Sequence, residues 1–485
     1  MVVGEMPEGV DLLVVGGGPG GYVAALEAAR RGRSVLLVDA AGKQGLGGVC
    51  LSVGCIPSKA LIELAGAADG IGSWAGRGLC GPRPDVDLAA FQEWKQRLVD
   101  GLRTGVEGLL TGAGVEVRPG WFRFTRHDQG AVETGEEPPT HVRFKSCVLA
   151  TGSRPVVLPH LPPDGTRILD STDVLGLAEV PGRVAVVGGG YIGVELGTAL
   201  AKLGAQVTLV EAADSLLPAL GDRVAVPVAR RLDELGVDVR TSTVAVADDG
   251  VRLTVRGPSG EEDPLAVDRV VVAVGRAPNT DDMGLDALGV SPGADGLLAV
   301  GSDRMLTGAV AAIGDITPGP ALAHKATAEA HVAVDVLCGV ANGFDAAVIP
   351  VVVFGDPEVA TVGLTQAEVR AQGYAADVAS FPLATLARAR MLAGDAGFTQ
   401  LVHERDGGRL LGAQVVGPHA TELIAELALA VEMGANLEDL AETIHPHPVM
   451  SEAVTEAARV GLGAPVHVAA GRARATDSLG GGGGG

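Results

Sequence analysis

Apolar and polar positions follow two patterns along the chain. Before about residue 346, short apolar runs of the strand type lead into glycine-rich turns and then into helical stretches rich in Ala and Leu. This alternation predicts βαβ units, in which a mostly parallel sheet carries helices on its faces. Beyond residue 346 the pattern predicts short strands over 348–354, 399–404 and 410–416, with helices around 421–433 and 450–460. This second part indicates a separate α+β domain.

The βαβ pattern occurs twice. Residues 11–41 align without a gap with residues 183–213, and 13 of 31 positions are identical. In each copy a strand meets a GxGxxG turn, and an acidic residue stands 23 positions beyond the first glycine. Such glycines let the backbone approach a pyrophosphate at a helix N-terminus, and such an acid reaches a ribose 2′-hydroxyl. The residues are Gly16, Gly18, Gly21 and Asp39 in the first copy, and Gly188, Gly190, Gly193 and Glu211 in the second.

Glu211 also indicates which nicotinamide dinucleotide the second copy would bind. A carboxylate at this position repels the 2′-phosphate of NADP, and no Arg occurs among the next four residues, 212–215. The sequence therefore favours NAD over NADP.

Composition and charge exclude several classes of function. The chain has 485 residues, enough for roughly three domains at about 150 residues each. Its net charge of -22 repels phosphate backbones and anionic lipid surfaces, so neither nucleic acid nor a membrane is an expected partner. We find no run of 18 consecutive apolar residues and no readable secretory signal, and we expect a cytoplasmic protein.

Two of the five cysteines, Cys50 and Cys55, stand close together in one segment. Pro57 suits the first turn of a helix, which would place Cys55 near the positive end of the helix dipole, where a thiolate is stabilised. Lys59 would lie one turn further on, beside the pair. From the residues alone, two buried apolar cysteines or half of a metal site remain alternatives. No second Cys/His pair at zinc spacing occurs, so we expect no metal site.

The segment GGVCLSVGCIPSK at 47–59 resembles the redox-active disulfide motif of the flavin-dependent pyridine nucleotide-disulfide oxidoreductases. The resemblance covers about residues 8–465 and implies an α/β fold. Two Rossmann-like dinucleotide-binding domains would bind FAD and NAD, and a C-terminal α+β domain would form a homodimer. The implied divisions are 1–155 (first part of the FAD domain), 156–275 (NAD domain), 276–345 (second, central part of the FAD domain), 346–470 (dimerisation domain) and 471–485 (flexible Gly-rich tail).

The resemblance assigns roles around the cysteine pair. It implies that Cys50 exchanges with the substrate, that Cys55 contacts the flavin and that Lys59 lies near flavin N5. Glu195 matches the glutamate that pairs with this lysine. Ser52 stands where Asn is common in the family.

Three further segments resemble family motifs. Thr151 and Gly152 in ATGSRP, and Gly275 in VGRAPN, match the two crossings between the FAD and NAD domains. Gly314 and Asp315 match a second flavin contact, in which the aspartate binds the ribityl chain. Each of these segments alone would be an ordinary strand-to-turn signal.

The string HPHP at 445–448 precedes a glutamate. From composition alone, a structural or surface histidine would be the simpler interpretation. In the family the second histidine of such a motif is the acid/base for the substrate thiol, comes from the other subunit and is oriented by a glutamate. The resemblance places these roles on His447 and Glu452.

The resemblance is closest to the members that oxidise dihydrolipoamide on a protein and reduce NAD⁺ to NADH. We see no lipoyl domain in the chain, so we expect the substrate on a separate acyltransferase or carrier protein of a 2-oxo acid dehydrogenase or glycine-cleavage complex. Two alternatives remain: an NADH-linked reductase of another disulfide, and a mainly structural subunit of a multienzyme complex.

Overall fold

In the computed structural model, residues 8–74, 77–79, 84–135, 138–392, 394 and 396–469 are described. The first region has a mixed sheet in the order β3-β2-β1-β6-β5-β4. Strands β1, β2, β3 and β6 are parallel, and β4 to β6 form an antiparallel meander. The elements are β1 (Glu8–Val15), α1 (Pro19–Arg30), β2 (Val35–Asp39), α2 (Gly48–Ser52), α3 (Cys55–Ser73), α4 (Leu88–Gly112), β3 (Glu116–Pro119), β4 (Trp121–Arg126), β5 (Gln129–Glu133), β6 (Thr140–Leu149) and β7 (Ser153–Pro155).

The second region repeats this plan with a parallel five-stranded sheet, in the order β11-β10-β9-β15-β8. Its central strand β9 is apolar and buried at four consecutive positions, as expected where helices cover both faces of a parallel sheet. A three-stranded antiparallel sheet, β12-β13-β14, follows. The elements are β8 (Ile168–Leu169), α5 (Ser171–Val174), β9 (Arg183–Val187), α6 (Tyr191–Leu203), β10 (Gln206–Val210), α7 (Asp222–Glu234), β11 (Asp238–Arg240), β12 (Val244–Asp248), β13 (Arg252–Arg256), β14 (Glu262–Ala266), β15 (Arg269–Val272) and β16 (Arg276–Pro278).

The chain then returns to the first sheet. Strand β16 pairs antiparallel with β7, so the outgoing and the returning segments lie side by side. Strand β17 (Val310–Ala312) adds parallel to β6 in the first sheet, and helix α8 (Ala323–Leu337) packs against α1.

The last region is an antiparallel sheet in the order β18-β19-β22-β21-β20, covered by helices. The first strand is shorter than the predicted 348–354, because Pro350 has no N–H to donate and the N–H of Phe354 is bonded outside the sheet. The elements are β18 (Val351–Val353), β19 (Val359–Gly363), α9 (Gln366–Ala371), β20 (Ala376–Pro382), α10 (Ala387–Met391), β21 (Phe398–Glu404), β22 (Leu410–Val416), α11 (Ala420–Glu432), α12 (Leu437–Glu442) and α13 (Glu452–Gly461).

One apolar core joins three of these regions. It contains Leu61 on α3, Leu196 on α6 and Val353 on β18, each less than 5% exposed. Helix α3 packs along α6, and α6 also contacts β18. The cysteine motif, at the start of α3, is therefore held in position by the second and the last regions.

One stretch is apolar enough to span a membrane by its mean hydropathy, although it contains no run of 18 consecutive apolar residues. Among the described residues, Gly48–Gly72 is long and apolar enough, by length and composition, to cross a membrane. The count of consecutive apolar residues misses it because serine, glycine and charged residues interrupt the run. The stretch is broken into α2 and α3 and lines the pocket described below, so we assign it to the site.

Candidate active site

The two glycine-rich loops share one geometry. Gly16 has φ +101°, and a Cβ there would lie 2.3 Å from the carbonyl oxygen of Ala150. A Cβ on Gly21 would lie 1.8 Å from the carbonyl oxygen of Gly16. In the second loop Gly188 has φ +112°, and a Cβ on Gly193 would again lie 1.8 Å from the carbonyl oxygen of Gly188. Only glycine fits these positions, because any side chain would collide with a neighbouring carbonyl. Each loop can therefore turn tightly into the N-terminus of the following helix, where free backbone N–H groups favour an anionic ligand.

An acidic side chain braces each loop. Asp39, at the end of β2, accepts a hydrogen bond from the N–H of Gly17 at 2.8 Å. Glu211, directly after β10, accepts one from the N–H of Gly189 at 2.5 Å and another from Ala213 at 2.6 Å. Both carboxylates lie at the carboxyl edge of their parallel sheet, beside the helix N-terminus, where dinucleotide ribose binds in this fold.

The motif cysteines lie at the junction of two helices. Cys50 belongs to α2, the chain turns at Val53 and Gly54, and Cys55 is the first residue of α3. Both are free thiols here, and a hydrogen bond joins them. The two thiols are therefore close enough to interact directly.

The surroundings shift the pKa values of the two thiols in opposite directions. The hydrogen bond from Cys50 and the Lys59 cation lower the pKa of Cys55 to about 7, although burial and the Glu195 carboxylate act in the opposite direction. The same hydrogen bond and burial raise the pKa of Cys50 far above its ordinary value. Cys55 thus carries the negative charge of the reduced pair near neutral pH, as suits its place at the N-terminus of α3.

The Lys59 side chain is held by two other regions of the fold. Its Nζ lies 2.8 Å from Oε2 of Glu195, a residue of α6 whose side chain is only 5% exposed. Oε1 of Glu195 accepts a hydrogen bond from the N–H of Phe354 at 2.9 Å. The ammonium also lies 4.6 Å from the centre of the Phe354 ring, a cation–π contact. The pair predicted from the sequence is thus present, with a third partner that the sequence did not indicate.

Hydrogen bonds connect the two crossing segments to Asp315. The Ser153 hydroxyl donates to Oδ2 of Asp315 at 2.5 Å, and Nε of Arg276 donates to the Ser153 hydroxyl at 2.8 Å. Beside them the Thr151 hydroxyl donates to the carbonyl of Asn279 at 2.7 Å. Asp315 is therefore oriented by the strand pair β7–β16.

One open pocket of about 470 Å³ joins these features. It reaches from the first glycine loop and Asp39 to the two cysteines, and Tyr191 on α6 closes part of its wall. Of the predicted site residues it is lined by Gly16, Gly18, Asp39, Cys50, Cys55, Lys59, Thr151, Gly152, Glu195, Gly314 and Asp315. The lining also includes Ser52, Ser153, Tyr191 and Arg276, to which sequence reasoning assigned no role.

The residues of this pocket fit FAD. The Ser52 hydroxyl lines the pocket and is buried without a hydrogen-bond partner, so a polar ligand atom would satisfy it. The glycine loop and the N-terminus of α1 suit a pyrophosphate, Asp39 suits a ribose, and Asp315 suits a polyol chain at the far end. A flavin dinucleotide has these groups, with the pyrophosphate between the ribose and the polyol chain.

Other predicted residues lie outside the pocket. The second glycine loop and Glu211 lie at the edge of the second sheet. His447 Nδ1 lies 2.8 Å from Oε1 of Glu452, whose Oε2 accepts the N–H of Val449 at 2.9 Å. The His447 side chain is 74% exposed. Those predicted residues that do not line the pocket are Gly21, Gly188, Gly190, Gly193, Glu211, Gly275, His447 and Glu452.

Glu452 begins α13 and holds the histidine in place. Burial raises the pKa of Glu452, but the hydrogen bonds from His447 and from Val449 lower it more, and the net pKa lies below the ordinary value. The carboxylate therefore stays ionised at neutral pH and can accept a hydrogen bond from a protonated Nδ1 of His447. Nε2 of His447 is then free to face a substrate.

A thiol pair that can form a disulfide, placed beside a pocket for one dinucleotide and with a second dinucleotide-binding domain alongside, defines a nicotinamide-linked flavoprotein disulfide oxidoreductase. The chain belongs to the pyridine nucleotide-disulphide oxidoreductase family: the family model matches residues 10–330, and the model of the family's dimerisation domain matches residues 349–458. Members of this family use FAD and NAD(H).

Named relatives cover nearly the whole chain. A dihydrolipoyl dehydrogenase of Halobacterium salinarum is 45% identical over 474 residues, which is 96% of this chain and 99% of that protein. One of Geobacillus stearothermophilus is 44% identical over 473 residues, again 96% and 99%. Among solved structures, LpdA of Mycobacterium tuberculosis has a TM-score of 0.85 at 29% identity, covering 93% of this chain and 99% of that one.

These findings confirm the family, the fold class, the enzymatic nature and the two cofactors predicted from the sequence. The dimerisation domain also supports a homodimer.

Proposed function

We propose that this chain is a dihydrolipoyl dehydrogenase that oxidises protein-bound dihydrolipoamide and reduces NAD⁺. The observation that carries the proposal is the Cys50–Cys55 pair in the wall of the dinucleotide pocket, with Lys59 held beside it. The full-length similarity to dihydrolipoyl dehydrogenases supports the choice of substrate. The lipoyl group would arrive on a separate carrier protein, in the reducing cytoplasm, where a thiol pair can cycle.

The chemistry on the protein side begins with proton removal. His447 of the partner subunit, oriented by Glu452, takes a proton from one substrate thiol. The resulting thiolate attacks Cys50 Sγ of the oxidised pair, a mixed disulfide forms, and Cys55 leaves as a thiolate. The second substrate thiol attacks the substrate sulfur of the mixed disulfide, and its proton passes to the Cys50 sulfur as that sulfur leaves, while His447 still holds the first proton. This releases the cyclic disulfide and the Cys50 thiol, so the substrate has lost two electrons and two protons.

The first glycine loop, Asp39, Ser52 and Asp315 would hold FAD, and the second glycine loop with Glu211 would hold NAD⁺. Bound FAD supplies a two-electron carrier between the reduced cysteine pair and NAD⁺. The residues of the chain prepare for this step: the thiolate on Cys55 lies in the pocket wall, and Lys59 places a positive charge next to it.

An anaerobic titration tests the proposal. Dihydrolipoamide added to the FAD-loaded protein should produce a long-wavelength band between the Cys55 thiolate and the flavin, and NAD⁺ should then discharge it with one NADH formed per dithiol. NADH added alone should produce the same band, because electrons then pass in the opposite direction, from NADH to the cysteine pair. A band with NADH but no response to dihydrolipoamide would contradict the lipoamide assignment and favour another disulfide.

The second dinucleotide site carries a prediction on cofactor choice. We expect NAD⁺ to be preferred over NADP⁺ by at least about thirtyfold in kcat/KM, because the Glu211 carboxylate, held at the second glycine loop by the N–H of Gly189, would repel a 2′-phosphate bound there. Two unit charges about 4 Å apart repel by about 4 kcal/mol at an effective dielectric constant of about 20. If only half of this repulsion, about 2 kcal/mol, acts against NADP⁺, the ratio of the two kcat/KM values is about thirtyfold. Steady-state kinetics with both nucleotides measures the ratio, and Glu211→Gln should reduce it. Equal use of both nucleotides by the native chain would contradict the assignment.

A further inference from the structure

Two opposite charges are buried behind the wall of the FAD pocket. Lys325 and Glu329 lie one turn apart on α8, with side chains 1% and 0% exposed, and Nζ lies 3.2 Å from Oε1. Burying an ion pair costs more free energy than its attraction returns unless further hydrogen bonds satisfy both ions. No step of the proposed chemistry uses either side chain, so their retention points to another role.

Both side chains bond to the same residue of the pocket wall. Oε2 of Glu329 accepts the N–H of Gly314 at 2.7 Å, and Nζ of Lys325 donates to the carbonyl of Gly314 at 3.0 Å. The Thr317 hydroxyl joins them, donating to the same carbonyl at 2.8 Å and accepting from Lys325 at 2.9 Å. Gly314 has φ +77°, a backbone conformation that residues other than glycine rarely adopt. These bonds fix the direction in which Asp315 leaves the turn.

A third charge makes the group positive overall. Arg304 NH1 lies 2.8 Å from Oε1 of Glu329, and the Arg304 side chain is 12% exposed. Its guanidinium lies 4.9 Å from the centre of the Phe344 ring. Two cations and one anion leave one positive charge, and the carboxylate of Asp315 is close enough to interact with the Lys325 cation. The group thus holds Gly314 by hydrogen bonds and places a cation near the carboxylate of the next residue, Asp315.

We propose that Lys325 and Glu329 are positioning residues for the flavin, which hold the Gly314–Asp315 turn against the pocket and set the charge that the bound cofactor meets there. Gly314, Asp315 and Ala326 line the pocket, so the charged pair lies one residue behind its surface. The inference rests on the proposed function only in taking FAD as the occupant of the pocket.

Binding of FAD tests the positioning. We expect Lys325→Met and Glu329→Gln, made in the full chain, each to raise the dissociation constant of FAD at least about tenfold, measured by quenching of flavin fluorescence on return of FAD to the apoprotein. Lys202→Met is the matched control, because Lys202 is also an ion-paired, mostly buried lysine but bonds to Asp356, outside the pocket. Its FAD affinity should stay unchanged. If Glu329→Gln does not fold, Thr317→Val removes the bridging hydroxyl and leaves all charges in place.

The reduction potential of the bound flavin separates this role from a general loosening of the fold. Lys325→Met removes a cation and should lower the potential, whereas Glu329→Gln leaves two cations without their anion and should raise it. The double variant should return towards the native value. Shifts in the same direction, or folded variants with native potential and native FAD affinity, would overturn the inference. None of these measurements uses dihydrolipoamide, so failure of the substrate assignment would be seen separately.

Discussion

Cys50→Ser is expected to lower the rate of dihydrolipoamide oxidation by NAD⁺ at least about a thousandfold, equivalent to about 4 kcal/mol of activation free energy. The physical reason is that the substrate thiolate needs a disulfide sulfur to attack, and a serine at this position leaves Cys55 with no partner. The Lys59–Glu195 pair and the pocket glycines are unaffected, so FAD should remain bound. Anaerobic kinetics with dihydrolipoamide and NAD⁺ gives the loss.

Two comparisons make this result specific. Electron transfer from NADH through the flavin to an artificial acceptor bypasses the cysteines and should stay within about threefold of native in Cys50→Ser. Cys338→Ala is the matched control, since Cys338 is a half-buried thiol at the end of α8, outside the pocket, and its loss should leave dihydrolipoamide oxidation intact. A Cys50→Ser protein that still oxidises dihydrolipoamide at near-native rate would contradict the proposed exchange. A mainly structural subunit would show little of this activity in the native chain as well.

The parts of the site that follow from local backbone needs could be predicted from the sequence. Gly16 and Gly188 are required by their positive φ and by the close approach of a neighbouring carbonyl, and such needs leave a fixed spacing in the chain. The acids that brace the loops follow at a constant distance because one strand, one helix and the next strand have nearly constant lengths in a βαβ unit. The cysteines are five residues apart, so their joint position also depends mainly on local structure.

Contacts between distant segments have no fixed spacing in the sequence and could not be predicted in this way. Phe354 bonds to Glu195 across 159 positions, and Ser153 bonds to Asp315 across 162, so neither pair has a spacing that could be recognised. Sequence reasoning assigned Glu329 no role, because burial of its carboxylate depends on where Gly314 and Arg304 come to lie. Sequence reasoning therefore pointed to the residues to which we assign the chemistry, and it missed several of those that hold them in place.

The position of His447 is the reason why we expect the site to need two chains. Its imidazole is mostly exposed and bonded to Glu452, and within the described part of one chain neither residue lines the pocket that contains Cys50. A proton acceptor outside the pocket is not placed to serve the thiols of its own chain. A two-fold dimer, supported by the dimerisation domain, can bring the same surface of a second copy to the pocket.

We therefore expect His447→Gln to lower kcat/KM for dihydrolipoamide by about 10² to 10⁴, the usual contribution of a positioned acid/base. Glu452→Gln should cause a smaller loss in the same direction, since the ring keeps its place but loses the ionised partner. NADH-dependent reduction of an artificial acceptor should be unchanged in both variants. His127→Gln, at an exposed histidine far from the site in sequence and outside the pocket, is the control and should behave as native.

Mixed dimers decide whether the histidine acts on its own chain or on the partner. When Cys50→Ser and His447→Gln chains are dissociated together and reassembled, half of the dimers are mixed, and each mixed dimer has one pocket with Cys50 from one chain and His447 from the other. Random pairing should thus restore about a quarter of the native activity, although both parent proteins are nearly inactive. If His447 served its own chain, each pocket of the mixed dimer would lack one of the two residues and no activity would return. Recovery of activity in the mixture would place the proton acceptor in the partner subunit, and a mixture as inactive as its parents would refute that part of the mechanism.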